Sequence, residues 1–100
     1  MIKATPEQLR AIAAILAAQA PGIEARAFGS RVDGTPKPYS DLDLALVGPA
    51  KLDTAVMGAL KEAFEESDLP FRVDILDWHA ISGEFQKVIL EKYEVLLPPE

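Results

Sequence analysis

Apolar residues recur through the first twenty positions at helical spacing: Leu9, Ile12, Leu16 and Ala20 fall on one stripe. Thr5 is placed as an N-cap, Pro6 suits the first helical position, and Thr5 with Gln8 has capping-box spacing. The pattern predicts a helix over 5–20, stopped by Pro21 and Gly22. Alternation then takes over, and "IEARAF" at 23–28 reads as a strand. A glycine and two prolines within 34–39 make a loop. "DLDLALV" at 41–47 is a second strand, ended by Gly48 and Pro49. Helical spacing returns over 53–66, with Asp53 as cap and Val56, Ala59, Leu60, Ala63 and Phe64 facing inward. "FRVDIL" at 71–76 is a third strand. A helix over 82–92 buries Phe85, Val88 and Ile89, and "YEVLL" at 93–97 adds a short last strand before Pro98 and Pro99. The order predicts an α/β (α+β) fold: a small mixed β-sheet flanked by helices, in one domain over 1–100.

Composition narrows the chemistry. The 100 residues include no cysteine, which excludes disulfides and zinc–thiolate sites. The first residues lack the apolar core of a signal peptide, and no apolar run approaches the ~20 residues of a membrane span. A cytoplasmic protein with no membrane partner is expected. The net charge of −6 argues against strong direct nucleic-acid binding, which needs Lys and Arg to neutralise phosphates. It does not exclude a nucleotide held through a metal, since divalent cations seek acidic clusters. A chain this short buries a modest core, so a deep substrate cleft calls for a second subunit.

The stretch "FGSRVDGTPKPYSDLDLAL" concentrates the candidate chemistry. Side chains on a strand alternate faces, so Asp41 and Asp43 share a side while Leu42, Leu44 and Leu46 enter the core. Neighbouring carboxylates repel and raise one another's pKa unless a cation sits between them. Asp74, in the third strand, alternates with Phe71, Val73 and Ile75 and shares its side with Arg72 and Leu76. If the two strands are neighbours, Asp41, Asp43 and Asp74 form a ligand set for two Mg²⁺ ions ~3.5–4 Å apart. Gly29 lets backbone approach an anion, and Ser30, opening a short helix, offers hydroxyl and N–H groups to phosphate. Gly34 permits the turn that closes this pocket, and Arg31 and Lys37 are near enough in sequence to meet a triphosphate. Taken singly, each element has a plainer reading: a turn, a solvated strand edge, surface charges. Their conjunction, in an order that makes geometric sense, favours the functional one.

"GSRVDGTPKPYSDLDL" resembles the signature of the polymerase-β-like nucleotidyltransferase superfamily, through Gly29, Ser30, Gly34, Ser40, Asp41, Asp43 and Leu44. It is most similar to the minimal nucleotidyltransferases (MNT) encoded beside helical HEPN proteins, and the likeness runs over residues 5–97. The resemblance implies a palm-like fold and transfer of a nucleoside monophosphate from an NTP to a hydroxyl. It implies that Asp41 and Asp43 hold two Mg²⁺ ions, and that Asp74 helps bind one and acts as base. It also implies that Gly29 and Ser30 hold the β- and γ-phosphates of ATP. The resemblance also implies a role beside such a partner: in the studied pairs of that family the HEPN protein behaves as an RNase toxin and the MNT protein as its antitoxin, one mechanism there being adenylylation of a tyrosine on the partner. Where many relatives carry a basic residue, this chain has Asp33. It also lacks the base-binding or substrate domain of larger members, so the acceptor must come from a partner or from a second copy in a homodimer.

Two rival readings stay open at this level. One is a non-catalytic binding module that neutralises a basic partner by covering its active site. The other is nucleotidylation of a small molecule such as an antibiotic. Among the remaining residues, His79 reads as structural, Trp78 as a packing residue, and Asp77 as a helix N-terminal charge or surface group. Tyr39 either lines the pocket or packs.

Overall fold

A computed structural model describes residues 2–99. The N-terminal stripe forms α1 (Pro6–Gln19). Its capping box closes as the spacing requires: Gln8 N–H donates to Thr5 Oγ1 at 3.1 Å, and Thr5 N–H donates to Gln8 Oε1 at 2.9 Å. The chain then runs through β1 (Glu24–Phe28), the one-turn α2 (Ser30–Asp33), β2 (Leu42–Val47) and α3 (Thr54–Glu65). It ends with β3 (Val73–Asp77), a 3₁₀ turn (Trp78–Ala80), α4 (Gly83–Glu91) and β4 (Glu94–Leu97). The expected elements are all present, with ends shifted by one or two residues. The 3₁₀ turn is new, and Asp77 caps it by accepting from His79 N–H at 3.0 Å.

The four strands form one mixed sheet in the order β3-β2-β1-β4. β1 lies antiparallel to both β2 and β4, while β2 and β3 are parallel, joined by the α3 crossover. One face of the sheet is the core face. Leu42, Leu44 and Leu46 are fully buried there beside Ile12, Leu16 and Leu60 of α1 and α3. Each such side chain contributes about 1.5–3 kcal/mol. The opposite face is only partly covered. Phe28 meets Phe85 of α4 edge-to-face at 5.9 Å, and Arg26 lies against the rings of Trp78 (4.9 Å) and Tyr93 (5.3 Å). In α4 Ile89 is buried, but Val88 is 57 % exposed and Phe85 36 % exposed, so neither is buried as its spacing suggested, although Phe85 keeps its contact with Phe28.

Among the described residues, no helix is long and apolar enough to cross a membrane.

Candidate active site

The register of the sheet assembles the site. Phe28 of β1 stands opposite Asp43 of β2, and Asp43 opposite Asp74 of β3. All three lie on the partly covered face, because β2 turns its leucines to the core. Asp41 precedes Asp43 by two residues and shares that side. Gly29 follows Phe28, so the turn into α2 arrives directly beside Asp43. Glycine is required there twice over. Its φ is +80°, and a β-carbon would overlap the Asp43 carboxylate. Gly34 closes α2 less tightly, since a β-carbon there would lie 3.0 Å from the Ser30 carbonyl oxygen.

The electrostatics follow from this crowding. Burial, then the charges of Asp74 and Asp41, push the Asp43 carboxyl above the ordinary carboxylate range, and Arg72 partly offsets them. The Arg72 guanidinium lies 3.1 Å from Asp41 Oδ2 and 3.9 Å from Asp74 Oδ2. Among the described residues, no group of three or more carboxylates or histidines stands close enough together to hold a metal ion as arranged. The three aspartates form an open acidic face, and its donor chemistry fits a divalent cation. The oxygens are hard, the central carboxyl is raised by burial and by like charge, and the outer two already draw a cation.

The remaining predicted residues divide into two groups. The Ser30 side chain is exposed at the start of α2, and its hydroxyl has no hydrogen-bond partner among the described residues. Lys37 is exposed as well, and its backbone N–H donates to Ser40 Oγ at 2.9 Å. Arg31 is a correction. It is 5 % exposed, and its guanidinium donates to the carbonyl oxygens of Ser40 (2.8 Å), Lys3 (2.7 Å), Pro38 (2.9 Å) and Lys37 (3.3 Å). Its far side stacks on the Phe71 ring at 3.9 Å. It is therefore a strut that holds the 34–40 loop against the start of the chain, with its donors spent on backbone. Ser40 belongs to the same strut, with its hydroxyl and carbonyl oxygens both engaged within the loop. Asp33 pairs with Lys92 at 3.7 Å.

Two cavities border the acidic face. One of about 290 Å³ lies between the Gly29 turn and α4, lined by Phe28, Gly29, Asp33, Val88 and Lys92. The other, about 410 Å³, opens at Asp74 and Arg72 and runs under α3 past Lys61, Phe64 and Phe71. Arg72 had not been singled out as a site residue from the sequence. The signal that finds it is the strand period, which sets it on the same side as Asp74. Asp77 takes the opposite side. It is the helix N-terminal charge that one of its two readings made it, capping the 3₁₀ turn, and it is buried rather than a surface group, its carboxylate also accepting from Leu52 N–H at 2.8 Å. His79 Nε2 pairs with the Gly48 carbonyl oxygen at 2.7 Å, a structural contact. Trp78 is engaged by Arg26 and packs, as expected.

Residues 10–99 match the family described as Polymerase beta, Nucleotidyltransferase. A Haemophilus influenzae protein, "Probable protein adenylyltransferase MntA", is 47 % identical over 94 residues, covering 94 % of this chain and 82 % of that protein. A crystal structure of a toxin–antitoxin with AMP-PNP shares the fold, with a TM-score of 0.75 at 24 % identity, over 92 % of this chain and 74 % of that one. A structure of tri-AMPylated Shewanella oneidensis HEPN toxin in complex with MNT antitoxin matches with a TM-score of 0.70 at 21 % identity, over 92 % of this chain and 71 % of that one. With its register-built acidic face and nine-tenths of its length within the family pattern, the chain belongs to the polymerase-β nucleotidyltransferase family.

Proposed function

We propose that this nucleotidyltransferase moves AMP from ATP to a hydroxyl of a HEPN-type protein partner, a tyrosine, and so acts as an antitoxin. The observation that carries the reading is the direct opposition of Asp43 and Asp74 beside the Gly29 turn. The named activity of the 47 % identical relative supports adenylyl transfer to protein. The toxin–antitoxin descriptions of the structural neighbours support a HEPN partner. The net charge of −6 suits a basic partner surface.

In this reading Asp41, Asp43 and Asp74 hold two Mg²⁺ ions, whose chemistry is to neutralise charge as it develops on the α-phosphate. The acceptor oxygen attacks the α-phosphorus, the bond to the β-phosphate oxygen breaks, and pyrophosphate leaves. Asp74, the most exposed strand carboxylate of the three, accepts the hydroxyl proton. The Gly29–Ser30 turn holds the leaving phosphates through backbone N–H groups and the Ser30 hydroxyl, which has no hydrogen-bond partner among the described residues. The partly covered face, bounded on one side by α4, leaves the acceptor room to approach.

The test is incubation of the protein with Mg²⁺, labelled ATP and a co-expressed HEPN protein, followed by intact mass. The expected result is addition of AMP to the partner, lost in Asp43→Asn. Tight complex formation with no transfer from any NTP would instead establish a binding module.

A further inference from the structure

The acidic face carries its own cation. Arg72 stands two residues before Asp74 on the same strand side, and its guanidinium reaches both outer carboxylates, Asp41 at 3.1 Å and Asp74 at 3.9 Å. Among the described residues, no other Lys or Arg forms an ion pair with Asp41, Asp43 or Asp74. The bridge is lightly held, for the Arg72 side chain is 70 % exposed and its partners 44 % and 54 % exposed. Ion pairs this exposed contribute little, so the guanidinium leaves at low cost. A divalent cation carries twice the charge and bonds carboxylate oxygens directly. Arg72 and such a cation draw on the same carboxylates, so each weakens the other's hold on them.

We propose that Arg72 is a displaceable counter-cation of the site. It bridges Asp41 and Asp74 while no divalent cation is bound, and it releases those oxygens when one enters. The inference rests on the nucleotidyltransferase reading and adds to it how the site is kept ready. Three carboxylates on one sheet face repel one another, and a resident guanidinium offsets part of that repulsion before loading. The same contact sets a threshold, because a cation must compete with Arg72 to bind. The side chain has somewhere to go, since it already forms part of the rim of the roughly 410 Å³ cavity on the α3 side.

The test reads metal binding without turnover. Mn²⁺ binding to the purified protein is followed by electron paramagnetic resonance, in the absence of nucleotide. Arg72→Gln is expected to bind Mn²⁺ roughly two- to fivefold more tightly than the unaltered protein, the range an exposed ion pair allows. Arg72→Lys should stay near the unaltered value, because the charge is kept. Lys61→Gln is the control for charge alone. It removes one positive charge from the wall of the same cavity, with no ion pair to either carboxylate, and should shift binding less than Arg72→Gln. Binding by Arg72→Gln that is equal or weaker, or a Lys61→Gln effect as large, overturns the proposal. If Mn²⁺ binds, Asp43→Asn abolishes it and Arg72→Gln fails to tighten it, only this inference falls. If neither the unaltered protein nor Arg72→Gln binds Mn²⁺, with or without ATP, the nucleotidyltransferase reading falls with it.

Discussion

Gly29 and Asp43 constrain each other more closely than any other pair in the site. The backbone at Gly29 occupies the left-handed region, and a side chain there would overlap the Asp43 carboxylate. Gly29→Ala should therefore cost about 1–2 kcal/mol in a urea titration from the backbone alone. It should also lower Mn²⁺ affinity, because the displaced carboxylate is the central one. Asp43 carries a pH signature of its own. Burial and the charges of Asp74 and Asp41 raise its folded-state pKa. The native protein then binds a proton that the unfolded chain has released. Stability falls as pH rises from the ordinary carboxylate range through that raised value. Without divalent cations, Asp43→Asn should be more stable than the parent at neutral pH. That advantage should vanish as pH drops below the ordinary carboxylate range, as urea titrations across pH would show.

At the scale of elements, the connection from α2 to β2 is the most dependent on one side chain. The 34–40 loop contains two prolines and has few backbone bonds of its own, so Arg31 supplies them. Arg31→Met should destabilise by about 3 kcal/mol or more, since it removes four part-buried hydrogen bonds from one charged donor at once. Limited proteolysis should then cut within 34–40. Lysine should rescue poorly, because a single ammonium cannot reproduce the planar fork or the stack on Phe71. This role was not legible in the sequence, where Arg31 reads as a phosphate ligand beside Gly29 and Ser30. Its partners lie six to 28 residues away and become neighbours only when the loop folds back over the N-terminal segment. The α1 cap, by contrast, was legible to the residue, because Thr5 and Gln8 meet within one turn.

At the scale of the molecule, folding and ligand binding are linked through the sheet. The leucines of β2 anchor one face in the core while its aspartates crowd the other. The fold thus spends stability on a charge cluster that a cation would relieve. Mg²⁺-ATP at a hundred times its Kd should raise the unfolding free energy by about 2.7 kcal/mol. In Asp43→Asn the same ligand should raise it little, which thermal unfolding with and without Mg²⁺-ATP would measure.

The sequence by itself determined the elements and the chemical character of the site. Caps, prolines and apolar periodicity act within a few residues, so they are written locally. The alternation of "DLDLAL" already assigns leucines to one face and aspartates to the other. The strand order was decided only in three dimensions. Placing β3 beside β2, in a register that matches Asp74 to Asp43, depends on α3 packing across the sheet. The same assembly brings Arg72 to Asp41 across 31 residues of chain and commits Arg31 to the loop. Long-range register and charge pairing depend on which strands become neighbours, and that choice is made by the burial of the whole core.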